Sequence, residues 1–155
     1  MMKSSISHDN ICCHAAIAWS LCFLLALSAV VAGCGRGRPE RARVSGQVRI
    51  DGQPLGGGTI RLYPANARPA SATIDANGRF TLKTFEDNDG AVLGTHPVTV
   101  TWVEEISDNK RRWLAPKKYA DPGTSGRTVT IDGPTDSLLI ELTWDGGKPF
   151  VEVDP

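Results

Sequence analysis

The amino-acid sequence predicts an all-β fold, and three observations carry the prediction. From Val44 to Leu142 apolar residues recur at every second position, as they do along strands with one buried face. The runs are short and are bounded by glycine, proline, aspartate and asparagine, the residues that turns require. No segment after Cys34 carries an apolar stripe at helical spacing.

The elements follow in order. In "VSGQVRI", Val44, Gly46, Val48 and Ile50 share one face, and Asp51-Gly52 makes a turn. "GTIRLYP" turns Ile60 and Leu62 inward and should end at Pro64, which has no N–H for a ladder. Ala72 and Ile74 face inward in a third strand, Asp75 to Gly78 forms a hairpin turn, and Phe80 and Leu82 carry the return strand. "PVTVTWV" places Val98, Val100 and Trp102 together, with Pro97 expected at the strand start or on an edge. "TVTI" offers Val129 and Ile131, and "SLLIEL" offers Leu138, Ile140 and Leu142, joined by a tight turn over Gly133 to Asp136. Seven strands result, a number that suits a sandwich or a barrel. The β-branched inward faces favour two sheets about 10 Å apart. The tail "WDGGKPFVEV" offers an eighth strand after a turn at Asp145-Gly146-Gly147.

The N-terminus reads differently. No charged residue occurs from Ala15 to Ala32, Lys3 precedes this apolar run, and the run stops at Cys34 in "VVAGCGRGR". These are the parts of an export signal. Val31-Ala32-Gly33-Cys34 resembles the lipobox of bacterial lipoproteins, in which the signal peptidase cuts directly before the cysteine. The resemblance implies a signal peptide over residues 1–33 and a lipid chain on Cys34 that holds the protein to a membrane. Several acyl chains on one residue make a durable anchor where a single chain binds marginally. Of the 4 cysteines, Cys12, Cys13 and Cys22 precede the cut, so Cys34 alone would remain, which leaves no disulfide and no cysteine-held metal in the mature part. The plainer alternative is a retained N-terminal membrane helix with an incidental Cys34. Residues 34–43, with Arg36, Arg38, Arg41 and Arg43 beside two glycines and Pro39, read as a tether. It would span at most about 30 Å, and its arginines could touch anionic headgroups. Gly35 is not the aspartate that retains enteric lipoproteins in the inner membrane, which points to the outer membrane of a bacterial cell envelope.

"VSGQVRIDGQPLGGGTIRLYP" and "ATIDANGRFTL" resemble the carboxypeptidase regulatory-like, transthyretin-like (prealbumin-like) domain. "GTHPVTV" and "PKKYADPGTSGRTVTI" resemble the remainder of that domain in small bacterial lipoproteins. The implied architecture is a seven-stranded Greek-key β-sandwich over residues 44–143, with residues 144–155 as a tail. His96 stands where that subfamily often has tyrosine, and Arg127 where leucine is usual, which suggests that Arg127 faces solvent here.

Enzymatic chemistry has few parts to work with. His96 is the one histidine after Cys34, and no G-x-S-x-G or H-x-x-E occurs. A non-catalytic protein without cofactor or metal is expected. "FEDNDGAV" has calcium-loop spacing around Gly90, but Phe85 and His96 occupy ligand positions that should be acidic, so Asx turns are the better reading. The segment from Glu104 to Gly126 is expected to be a long loop. It sets Lys110, Arg111 and Arg112 beside Trp113, then Lys117, Lys118 and Tyr119, a pattern able to contact an envelope polymer, a glycan or a partner protein. Packing of Pro116 and Tyr119 over the sandwich as a cap is the preferred alternative. The net charge of +0 gives no whole-chain reason to expect nucleic acid. The expected role is a membrane-anchored binding or structural accessory. A carbohydrate-binding module is the alternative, and a hydrolase dependent on His96 is the third class.

Overall fold

The computed structural model describes residues 39–154. The expected signal peptide, the Val31-Ala32-Gly33 motif and Cys34 lie outside the described residues. The described chain is all-β, with strands in several sheets and one short 3₁₀ turn at Lys117–Ala120. Among the described residues, no helix is long and apolar enough to cross a membrane.

Among the described residues thirteen strand segments are formed where seven runs are predicted, because several runs break and the expected loop is itself partly strand. The first two segments are β1 (Arg41–Ala42) and β2 (Val44–Ile50). Four short ones follow: β3 (Gln53–Pro54), β4 (Thr59–Leu62), β5 (Ala70–Thr73) and β6 (Arg79–Thr81). Next come β7 (Ala91–Val92), β8 (Gly94–Thr101), β9 (Val103–Ser107) and β10 (Lys110–Trp113). After the 3₁₀ turn the chain forms β11 (Thr128–Ile131), β12 (Thr135–Leu142) and β13 (Phe150–Val153).

Two four-stranded sheets carry the core. In the first, β2 is flanked by β12 on one edge and by β6 and β3 in succession on the other. The second has the order β11-β8-β4-β5. Period-two alternation explains both: Val44, Val48, Phe80, Ile140 and Leu142 of the first sheet share one buried cluster with Ile60, Leu62, Ala72, Val98, Val100 and Ile131 of the second. A side chain of this kind contributes about 1.5–3 kcal/mol when fully buried. A bridge between Ser71 and Lys83 ties the β5 edge to the segment that continues β6.

The turns follow their residues. Asp51 and Gly52 both adopt positive φ, the backbone of a tight two-residue hairpin between β2 and β3. The Asp75 carboxylate accepts the amides of Asn77 and Arg79 at 2.8 Å each, which shapes the β5–β6 turn.

Four expectations need correction. Gly133 to Asp136 is not a tight turn between "TVTI" and "SLLIEL": β12 starts already at Thr135 and runs parallel to β2, while β11 pairs with β8. Pro97 lies inside β8 and not at its start, since β8 begins at Gly94. The position is tolerated because Val98 donates to Arg127 on the β11 side, so the Pro97 nitrogen faces the other side, where β4 has ended at Leu62. Arg41 and Ala42 do not belong to an extended tether, because β1 pairs with β7, and Ala42 is buried against the core. The segment Glu104 to Gly126 is not a loop: β9 and β10 form a hairpin, and β13 adds to β10 as a third strand.

Candidate functional site

The residues singled out in Lys110–Tyr119 are brought together, but largely with one another and with acids. Trp113 is 6% exposed, stacks on Phe150 with ring centroids 6.4 Å apart, and donates its indole N–H to Glu152 at 2.8 Å. Lys117 pairs with the same carboxylate at 2.5 Å and lies 5.6 Å from the Trp113 ring centroid. The Lys117 ammonium and the Trp113 N–H together hold the Glu152 carboxyl below the usual carboxylate range. Arg111 pairs with Asp154, Arg112 with Glu104 at 3.5 Å, and Lys118 with Asp145. The Lys118 ammonium lowers the Asp145 carboxyl, which raises Lys118 in return. Lys110 is exposed at the start of β10 and stands apart from these pairs. Four of the cations that suggested a ligand surface are therefore already paired with acids of this sheet and of the tail that follows β12.

Tyr119 acts as a strut. It is 2% exposed within the core, and its hydroxyl accepts the Thr143 amide at 3.2 Å while donating to the Thr143 carbonyl at 3.4 Å. Burial alone would push its phenol up, but the Arg127 guanidinium, the Thr143 backbone and Lys118 hold it below its ordinary value. Pro116 is buried as well, so this segment packs in the way expected of a cap. Replacing Tyr119 by phenylalanine should cost about 1 kcal/mol, the net worth of such a bond, read as a small drop in thermal midpoint with no change in fold.

The calcium-like loop is occupied by its own backbone. Asp89 accepts the amides of Thr84 at 2.6 Å and Phe85 at 3.0 Å and faces Arg41 at 3.4 Å. Although burial pushes the Asp89 carboxyl up, the amides of Thr84, Phe85 and Glu86 together with Arg41 hold it below the usual carboxylate range. Among the described residues, no group of three or more His, Cys, Asp or Glu side chains is arranged to hold a metal ion. His96 is 4% exposed, with Nε2 2.7 Å from the Val92 carbonyl, so that nitrogen carries the proton and donates.

The open chemistry lies elsewhere, on the outer face of the second sheet. The register sets Thr99 of β8, Arg61 of β4, Ser71 of β5 and Lys83 in one row across the strands. Two adjoining clefts share Arg61. One, of about 470 Å³, is lined by Arg61, Tyr63, Arg68, Ser71, Lys83 and Phe85 among others. The second, of about 270 Å³, is lined by Arg61, Thr59, Thr99, Thr101 and Trp102 among others. Of the cations here, Lys83 pairs with Asp87 at 2.9 Å, whereas Arg61 and Arg68 form no ion pair with a described residue. Arg68 lies 5.6 Å from the Phe85 ring centroid and Arg41 lies 5.0 Å from it.

Trp102 closes the far end of the row. β8 breaks there, and the indole lies along the Gly56-Gly57 backbone, where a Cβ on Gly57 would fall 2.9 Å from the ring. Sequence reasoning passed over this face because Arg61, Arg68 and Lys83 are scattered along the chain and meet only through strand pairing. The alternation held a usable signal: Arg61, Ser71 and Lys83 have outward parity once Leu62, Ala72 and Leu82 are placed inward.

No family model, no curated protein and no solved structure matches the chain.

Proposed function

We propose that this chain is a lipid-anchored accessory of the bacterial cell envelope, held to the outer membrane through Cys34, with a non-catalytic binding body. We take that body to be a seven-stranded Greek-key sandwich of the carboxypeptidase regulatory-like, transthyretin-like type. Support for the anchor is Val31-Ala32-Gly33 before Cys34 at the end of an uncharged run. Burial of His96 with its Nε2 bonded to a carbonyl supports a body without general acid–base chemistry.

The observation that carries the binding role is the pair of clefts around Arg61, which keep two guanidiniums without carboxylate partners among the described residues while the Lys110–Tyr119 cluster is largely neutralised. Tyr63, Phe85 and Trp102 around those clefts favour the second reading, a carbohydrate-binding module.

Mass spectrometry of the full-length protein expressed in a Gram-negative host tests the anchor. Cys34 is expected to carry diacylglycerol at a new N-terminus, and Cys34→Ala should leave the detergent phase almost completely. An unprocessed leader or a bare thiol would overturn the reading. Crosslinking in intact cells followed by isolation of the membranes tests for an envelope partner.

A further inference from the structure

We propose that the outer face of β8, β4 and β5 is a groove for an acidic polysaccharide, with Arg61 at its centre. This rests on the binding role put forward above and names the ligand class. Four features converge on it. The two clefts meet at Arg61 and extend across the strands from Thr99 to Lys83, three strand spacings or about 14 Å. That is an elongated trough, as a polymer would need, and not a closed chamber for one small molecule.

Its charge is in surplus. Arg61, Arg68 and Lys83 line the larger cleft against the single acid Asp87, which Lys83 already holds. A guanidinium without a carboxylate partner is suited to bind a carboxylate or phosphate through paired, charge-assisted hydrogen bonds. Hydroxyls supply the third feature: Ser71 lines the same cleft as Arg61, and the half-buried Thr59 and Thr101 line the other. Such groups both donate and accept, which matches the hydroxyls of a sugar. Aromatic surface stands at one end, Trp102 beyond Thr99, where the apolar face of a sugar ring can rest, while at the other Phe85 holds the Arg68 guanidinium over its ring.

An extended peptide would instead seek unpaired backbone at a sheet edge, and here the β5 edge is tied to Lys83 at Ser71. The charge could be a uronic-acid carboxylate or a backbone phosphate, since a guanidinium fork accepts either.

Isothermal titration calorimetry on the detergent-solubilised full-length protein tests this, with polygalacturonate and polyribitol phosphate as probes and neutral dextran, inorganic phosphate and phosphatidylglycerol vesicles as comparisons. Saturable binding of at least one acidic polymer, weakened by salt and absent for dextran, is expected. Arg61→Gln should weaken it tenfold or more, and Arg68→Gln should weaken it too. Arg61 is exposed, so the Arg61→Gln protein should melt as the wild type does, and Arg79→Gln, at an exposed position of β6 in the first sheet, should bind normally. Equal binding of dextran, an unchanged Arg61→Gln affinity, or binding confined to phosphate or to vesicles would overturn the assignment. Silence toward both polymers, with Cys34 lipidated and a protein partner crosslinked, would overturn the glycan groove alone and leave the accessory role standing. Polymer binding with a bare thiol at Cys34 would do the reverse.

Discussion

Gly46→Ala should lower the thermal midpoint by roughly 10 °C, the largest effect expected of any single added methyl in the first sheet. Gly46 pairs with Leu138 in the parallel β2–β12 ladder, immediately after the register shift between Thr135 and Leu138. There the Leu138 backbone lies close against Gly46. A Cβ at Gly46 would lie 1.9 Å from the Leu138 carbonyl oxygen and 2.7 Å from its carbon, a collision with backbone that no rotamer relieves. The strands must part locally, which places the cost near 3 kcal/mol, the upper part of the range for overpacked interiors. Gly133→Ala is the matched control, since nothing lies within 4 Å of a Cβ there. Its midpoint should stay close to the wild-type value. Thermal denaturation followed by circular dichroism compares the two, and equal midpoints would contradict the close approach.

The second large effect is expected at Asp89. Its side chain is 12% exposed and faces Arg41, itself 17% exposed, while accepting amides of the turn it closes. Asp89→Ala removes the acceptor for those amides and strands a largely buried guanidinium. A loss of about 3 kcal/mol is expected, since the penalty for orphaning one partner exceeds the worth of the pair. The pH dependence has a definite sign. The folded carboxyl titrates below its ordinary value of 3.8, so the unfolded chain takes up the proton first as acid is added. The stabilisation is fully present above about pH 4 and is lost as the pH falls through the folded value. Asp89→Asn should therefore flatten part of the acid limb of midpoint against pH. An unchanged limb would show that Asp89 is not the group responsible.

The buried half of this fold was legible because alternation reports burial directly. Val44, Ile60, Leu82, Val100 and Ile140 all lie inward as their parity requires. Partnership was less legible. "TVTI" and "SLLIEL" look in the sequence like runs joined by a tight turn, yet their separation by Gly133-Pro134 marks a change of sheet, since β12 finds β2 some ninety residues earlier. The β9–β10 hairpin was hidden for another reason: most of its residues are exposed, so "VEEIS" and "KRRW" lack the apolar contrast that reveals a strand. Their support comes from Phe150 to Val153, too far along the chain for local patterning to register. The charged residues of that segment were visible in the sequence, but their acids were not. Glu152 and Asp154 belong to a tail whose strand pairing decides that Lys117 and Arg111 are spent internally. The Arg61 groove is the converse case, in which three unremarkable basic residues acquire a common address through cross-strand register.

The parallel ladder between β2 and β12 has a mechanical side. β2 follows directly on β1, where the N-terminal segment enters the body, and β12 leads away toward the C-terminal tail from the opposite end. A pull applied between those two points runs along both strands in opposed directions, so the rungs from Gly46 to Ile50 share the load and cannot be opened one by one. A domain strung this way yields abruptly and late under a pull applied along its two ends.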